Sequence, residues 1–141
     1  MMEIPAALTE SVIRRGTILH SDMFEQIDHG KFFVIMGVSE DHIVGFFFIN
    51  SNINNYIFGK QELLDMQYPM RRSDYPFLRY DSFLCATKVK RVSKRVMNES
   101  IAAGITGIVG DMQQEHLDDV LEMVRNSDLF TEADKRKFFY K

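Results

Sequence analysis

The sequence predicts a mainly β domain, a small barrel or sandwich with one or two helices packed on it, and three observations carry that expectation. Lys31–Val38 and Ile43–Asn50 are apolar runs joined by four polar residues, Ser39, Glu40, Asp41 and His42. Each run is too short for a helix that must bury a face and is rich in Phe, Val and Ile, so the pair reads as a β-hairpin. Both runs are apolar at both parities, which requires cover on both faces of the sheet and places the hairpin at the centre of the fold. Towards the C-terminus the period changes: Leu117, Val120, Leu121 and Val124 fall at i, i+3, i+4 and i+7, the stripe of a helix with one buried face.

The remaining elements follow in chain order. The first 13 residues are expected to be a loose turn or an arm. Arg15-Gly16-Thr17-Ile18-Leu19-His20 reads as a short strand behind a glycine turn. Residues 51–80, rich in Asn, Tyr, Arg and Asp with Pro69 and Pro76, read as mostly loop, with a short element near residues 56–58. Residues 82–86 form the next strand, and residues 89–97 are expected to supply one more. Gly104, Gly107 and Gly110 read as a flexible approach to a helix over residues 111–126, capped by Asp111 with Gln114 as its reciprocal partner. A second helix is expected from Thr131, with Asp134 at capping-box spacing and Phe138 and Phe139 near its end.

With 141 residues and 45% hydrophobic composition, the chain suits one domain over residues 1–141 with a single sizeable core. Its one cysteine, Cys85, excludes an internal disulfide framework and suits a reducing compartment. The N-terminus carries Glu3 and Glu10 and shows no export signal, so a cytoplasmic protein is expected. No apolar run approaches the roughly 20 residues that a membrane-spanning helix needs. A formal net charge of −3 argues against a uniformly basic, sequence-blind binder of phosphate backbone, while leaving room for a local basic patch.

The candidate chemistry is sparse. His20, His29, His42 and His116 lack ligand-like spacing with one another or with Cys85, so neither a metal nor another cofactor is expected. The three glycines are not followed by the Lys and Ser or Thr of a phosphate-cradling loop. Cys85 stands between Leu84 and Ala86 in an expected strand and reads as buried and inert. Two features remain. Lys88, Lys90, Arg91, Lys94 and Arg95 place five cations in eight residues, either a nucleic-acid contact or a charged edge that discourages strand pairing. His29-Gly30-Lys31 sets an imidazole and an ammonium beside a backbone pivot. Cleavage of a phosphodiester by an internal 2′-hydroxyl needs a proton acceptor, a proton donor and a cation on the phosphate, of which His29 and Lys31 supply two. The plain alternative is a turn whose polar side chains meet water.

The order of these segments resembles the MazF/PemK-like toxins. In that family a Gly-(Asp/Thr)-Ile strand is followed by an Arg-Pro-Ala-Leu-Val strand, a strand ending near Pro-Leu-Thr-Ser, an Asp-Ser strand leading into a basic turn, and a closing helix. Here Gly16-Thr17-Ile18 stands at the first, Lys31-Phe32-Phe33-Val34-Ile35 at the second, Ile49-Asn50-Ser51 at the third and residues 81–96 at the fourth. The resemblance spans roughly residues 14–125. It implies an SH3-like β-barrel and an endoribonuclease that cuts single-stranded RNA, works as a homodimer and is silenced by an antitoxin protein laid over its groove. The family's Arg falls on Lys31 and its Pro on Phe32, and its catalytic Thr or Ser falls on Asn50 or Ser51, according to a one-residue shift. Lys31 keeps the charge and loses the planar two-pronged grip of Arg on phosphate.

Two function classes follow. In the first, Lys31 clamps the scissile phosphate, Ser51 donates a hydrogen bond and His29 acts as acid or base. In the second, a non-catalytic SH3-like module binds a protein or nucleic-acid partner through residues 51–80 and the basic strip. Convergence of His29, Lys31 and Ser51 on one groove separates them.

Overall fold

The computed structural model describes residues 13–24, 30–53 and 57–140. Among these residues seven antiparallel strands, β1 (Thr17–Ser21), β2 (Lys31–Val38), β3 (Ile43–Asn50), β4 (Gln67–Met70), β5 (Ser82–Cys85), β6 (Lys90–Ser93) and β7 (Thr106–Asp111), form one sheet, accompanied by four helices, α1 (Gln61–Leu64), α2 (Lys94–Ala102), α3 (Gln114–Arg125) and α4 (Glu132–Phe138). The strand order is β4-β5-β3-β2-β1-β7, and β6 pairs with β3. β5 and β6 therefore lie one after the other along the same edge of β3, at Ile49–Asn50 and Ile43–Phe46. The fold is mainly β with C-terminal helices, as expected. Its strand path is open, ending at β4 and β7, where the sequence led us to expect a barrel.

The central hairpin forms where the two apolar runs place it. Ser39 closes the turn: its amide bonds Ile43 O at 2.9 Å and its hydroxyl accepts the Ile43 amide at 3.1 Å, while His42 takes a left-handed φ of 62°. Both faces are covered. Val34, Met36, Phe47 and Ile49 pack under α3 and α4 with Leu117, Val120, Leu121, Val124, Phe138 and Phe139. Phe33, Ile35, Val44 and Phe46 pack under α2 with Met97 and Ile101. Gly37 pairs with Gly45 across the hairpin, and a Cβ at Gly45 would lie 2.5 Å from Phe138 Cδ1, so the bare pair is the seat of α4. The end of α4 is held by two guanidinium groups: Arg15 donates to Met36 O and Phe138 O at 2.7 and 3.0 Å, and Arg125 donates to Phe139 O at 2.7 Å.

Several sequence expectations need correction. The strand expected over residues 89–97 stops at Ser93, whose hydroxyl accepts the Val96 amide at 3.1 Å and caps α2. The glycines at 104, 107 and 110 do not form a flexible approach. Gly104, at φ 78°, ends α2 in a paired motif in which Ile105 N bonds Ser100 O and Gly104 N bonds Ile101 O. Gly107 and Gly110 lie within β7, paired to β1. The long helix begins at Gln114, not Asp111, because Asp111 ends β7 opposite Thr17 and faces Arg14 at 3.5 Å. The Gln113 amide instead donates to Tyr75 Oη at 3.1 Å. Within residues 51–80, α1 and β4 interrupt the expected loop, and Pro69 is tolerated because β4 is an edge strand. Cys85 is half-buried rather than enclosed. The Thr131 cap is present, accepting the Asp134 amide at 3.1 Å. The expected N-terminal arm lies outside the described residues, except for the buried Ile13.

Candidate functional site

Lys31 opens β2 and Asn50 closes β3, so the open end of the hairpin brings them together. The Lys31 ammonium donates a hydrogen bond to Asn50 Oδ1. It also lies 5.5 Å from the centre of the Phe48 ring, over which Lys90 Nζ stands at 6.0 Å. Two cations thus flank one half-buried aromatic ring, a favourable arrangement for each ammonium and an unfavourable one between them that an anion would relieve. Burial pushes the Lys31 pKa below the ordinary lysine value, and the nearby Cys85 thiol opposes that shift. A desolvated ammonium of this kind attracts a counter-anion.

Lys31 and Asn50 open onto a groove of about 800 Å³ that is also lined by Ser51, Asn52, Ile53, Phe58 and Phe83. Phe83 reaches it because β5 pairs with the end of β3, Phe83 opposite Asn50. Lys31 is the one ionisable side chain among the described residues lining the groove. The side-chain amides of Asn50 and Asn52 and the exposed Ser51 hydroxyl line the same groove, a set of polar groups suited to an anion with polar edges. Of the residues singled out from sequence, Lys31 and Ser51 therefore share one groove, while His29 lies outside the described residues. Gly30 beside it has no room for a side chain: a Cβ there would run into the His20 ring and lie 2.7 Å from Asp22 Oδ1.

The basic strip is divided between surfaces. Lys90 pairs with Phe46 and Arg91 with Gly45, so their side chains leave opposite faces of the sheet. Lys90 goes to Phe48 on the groove side. Arg91 goes to α4, where it meets Asp134 at 2.5 Å and lies 5.2 Å from the Phe138 ring centre. Lys94 and Arg95 begin α2, Arg95 pairing with Glu99 at 3.4 Å, and Lys88 is exposed ahead of β6. Phe58 and Phe83 were not singled out from sequence. The signal was there in part: Tyr56, Ile57 and Phe58 form an apolar cluster in a polar segment, and Phe58 is 57% exposed.

Among the described residues no three His, Cys, Asp or Glu side chains are placed to hold a metal ion, and no helix is long and apolar enough to cross a membrane. No family model and no curated protein matches the sequence. Solved structures do match. The Mycobacterium tuberculosis toxin MazF-mt6 is 11% identical, with a TM-score of 0.50, over 79% of this chain and 94% of that one. At that identity the likeness is one of fold. The chain shares its fold with that protein.

Proposed function

We propose that this chain is a MazF-like toxin, an endoribonuclease that cleaves single-stranded RNA in the groove around Lys31. The observation that carries the reading is the convergence of Lys31, Asn50 and Ser51 on one groove in a MazF-like fold. In the reaction a 2′-oxygen attacks the adjacent phosphorus, its proton passes to a base, the bond from phosphorus to the 5′-oxygen breaks, and that oxygen takes a proton. Lys31 holds the negative charge gathering on the phosphate, Ser51 donates to a phosphate oxygen, and His29 acts as acid or base. Lys88, Lys90, Lys94 and Arg95 guide the flanking strand, with Arg91 the least available. The toxin is a cytoplasmic homodimer restrained by an antitoxin protein.

One observation favours the non-catalytic reading as runner-up: Lys31 is the single ionisable group among the described lining residues, enough to bind a phosphate but short of the proton acceptor and donor that cleavage needs. Purified full-length chain incubated with mixed single-stranded RNA, with the ends of the fragments mapped, decides between them. New ends at defined sites, absent from a Lys31→Ala control, support the enzyme. Intact RNA retained by the protein assigns it to binding alone.

A further inference from the structure

The groove contains more apolar surface than a phosphate clamp requires. Phe58 is 57% exposed, although it belongs to a chain that buries Phe33, Phe46, Phe47, Phe138 and Phe139 almost completely. It lines the groove together with Ile53 and Phe83, beside Lys31. Phe83 is held by β5 against the end of β3, so its ring belongs to the rigid sheet, whereas Phe58 stands in the connection before α1. A phosphate gains nothing from such rings. A nucleobase does, because every base offers a flat π-face to an aromatic side chain while the sugar-phosphate carries the charge outward to a cation.

Building on the reading of this groove as an RNA site, the geometry points to Phe58 and Phe83 as a nucleobase-stacking subsite adjoining the phosphate held by Lys31. The side-chain amides of Asn50 and Asn52 and the Ser51 hydroxyl border the same space. They supply both donors and acceptors for the edge of a base whose face lies on the rings. The subsite gives a physical reason for selecting unpaired RNA: a base inside a duplex has both faces covered by its neighbours and cannot reach the rings without being unstacked. A protein strand could also place an apolar side chain there. The amide-rich border and the ammonium beside it favour the nucleotide, whose charge and polar edge use both.

The test compares two oligomers of equal length on the full chain: a single-stranded RNA carrying 2-aminopurine, whose fluorescence is quenched on stacking, and the corresponding abasic ribose-phosphate chain. The wild type is expected to bind the RNA more tightly than the abasic chain and to quench it. Phe58→Leu keeps an apolar side chain at an exposed position and should weaken RNA binding on the order of tenfold to a hundredfold, abolish most of the quench, and leave abasic binding unchanged. Phe83→Leu should act in the same direction. Lys31→Ala should weaken both oligomers alike. Equal wild-type affinity for the two oligomers, or an unaltered quench in Phe58→Leu, overturns the stacking subsite while the RNA reading stands. Failure of both oligomers to bind, with capture of an apolar peptide instead, overturns the RNA reading and the subsite with it.

Discussion

Lys31 meets Asn50, rather than Ser51, because β2 carries one residue more than the stretch of β3 it pairs with. Near the turn Val38 pairs with Val44 and Gly37 with Gly45, a register that, continued unbroken, would bring Lys31 opposite Ser51. The pairing shifts between Ile35 and Gly37, leaving Met36 as the extra residue, and from there Ile35 pairs with Phe46 and Phe32 with Ile49. The shift delivers Lys31 to the Asn50 amide and leaves Ser51 free at the groove. It is stabilised from outside the hairpin: Arg15 donates to Met36 O, and the Gly16 amide bonds Ile35 O at 2.7 Å. A bulge in the core thus sets which side chain the cation faces.

The glycine pair next to that bulge gives a stability prediction. Gly45→Ala would place a methyl carbon 2.5 Å from Phe138 Cδ1 and 2.8 Å from its Cγ, within a cluster where Phe138 is fully buried. Overpacking of this kind costs about 1–3 kcal/mol. At Gly37 the new carbon would meet the Phe138 backbone, which cannot rotate away as a ring can, so Gly37→Ala should cost more. Chemical denaturation should rank the proteins wild type, Gly45→Ala, Gly37→Ala.

Alkaline pH should unfold the protein partly through Tyr68 and Tyr75. Burial raises the Tyr68 phenol above its ordinary 10.0, assisted by its hydrogen bond to Asp119 at 2.9 Å and by that carboxylate's charge. Burial also raises Tyr75, opposed by the Gln113 amide. In each case the folded chain holds a proton that the unfolded chain releases above pH 10.0. The stability this represents is complete below that pH and is lost as pH climbs towards the folded values. Tyr68→Phe should therefore flatten the fall in denaturation midpoint above pH 10.0, and tyrosinate absorbance should show one fewer late-titrating group.

Lys90 and Arg91 are neighbours in sequence, and only Lys90 is expected to contribute to RNA binding. Lys90 reaches Phe48 beside the groove, while Arg91 is taken up by Asp134 and the Phe138 ring. Lys90→Ala should lower RNA affinity and reduce the slope of log affinity against log salt by about 0.7, the value for one contact on a single strand. Arg91→Ala should leave that slope unchanged.

What the sequence made legible was whatever local period expresses. The two-sided apolar runs gave the hairpin to the residue, Leu117 to Val124 gave the buried stripe of α3, and Thr131 with Asp134 gave the start of α4. β7 was hidden because its apolar residues, Ile108 and Val109, stay exposed and its partner β1 is 85 residues away at Ser21 and Thr106. α2 was hidden by its junction: Ser93 ends a strand and caps a helix at once, leaving no punctuation between them. At the site, the type of each lining residue could be read, but the choice between Asn50 and Ser51 depended on a bulge that no periodicity records.

Lys31 carries the last prediction. If the groove cleaves RNA, the charge gathering on the scissile phosphate must be met by the one ionisable side chain among its described lining residues. Lys31→Ala removes it and should lower the cleavage rate about a hundredfold, equivalent to roughly 3 kcal/mol of transition-state stabilisation. The fold should survive, since the side chain is only half-buried and its ammonium bonds a single amide at the sheet's end. Lys31→Arg separates charge from shape: it restores a planar two-pronged donor and should preserve or raise the rate. A Lys31→Ala protein that cleaves as fast as the wild type would remove Lys31 from the chemistry. A wild type with no activity above that variant would leave the groove a binding site.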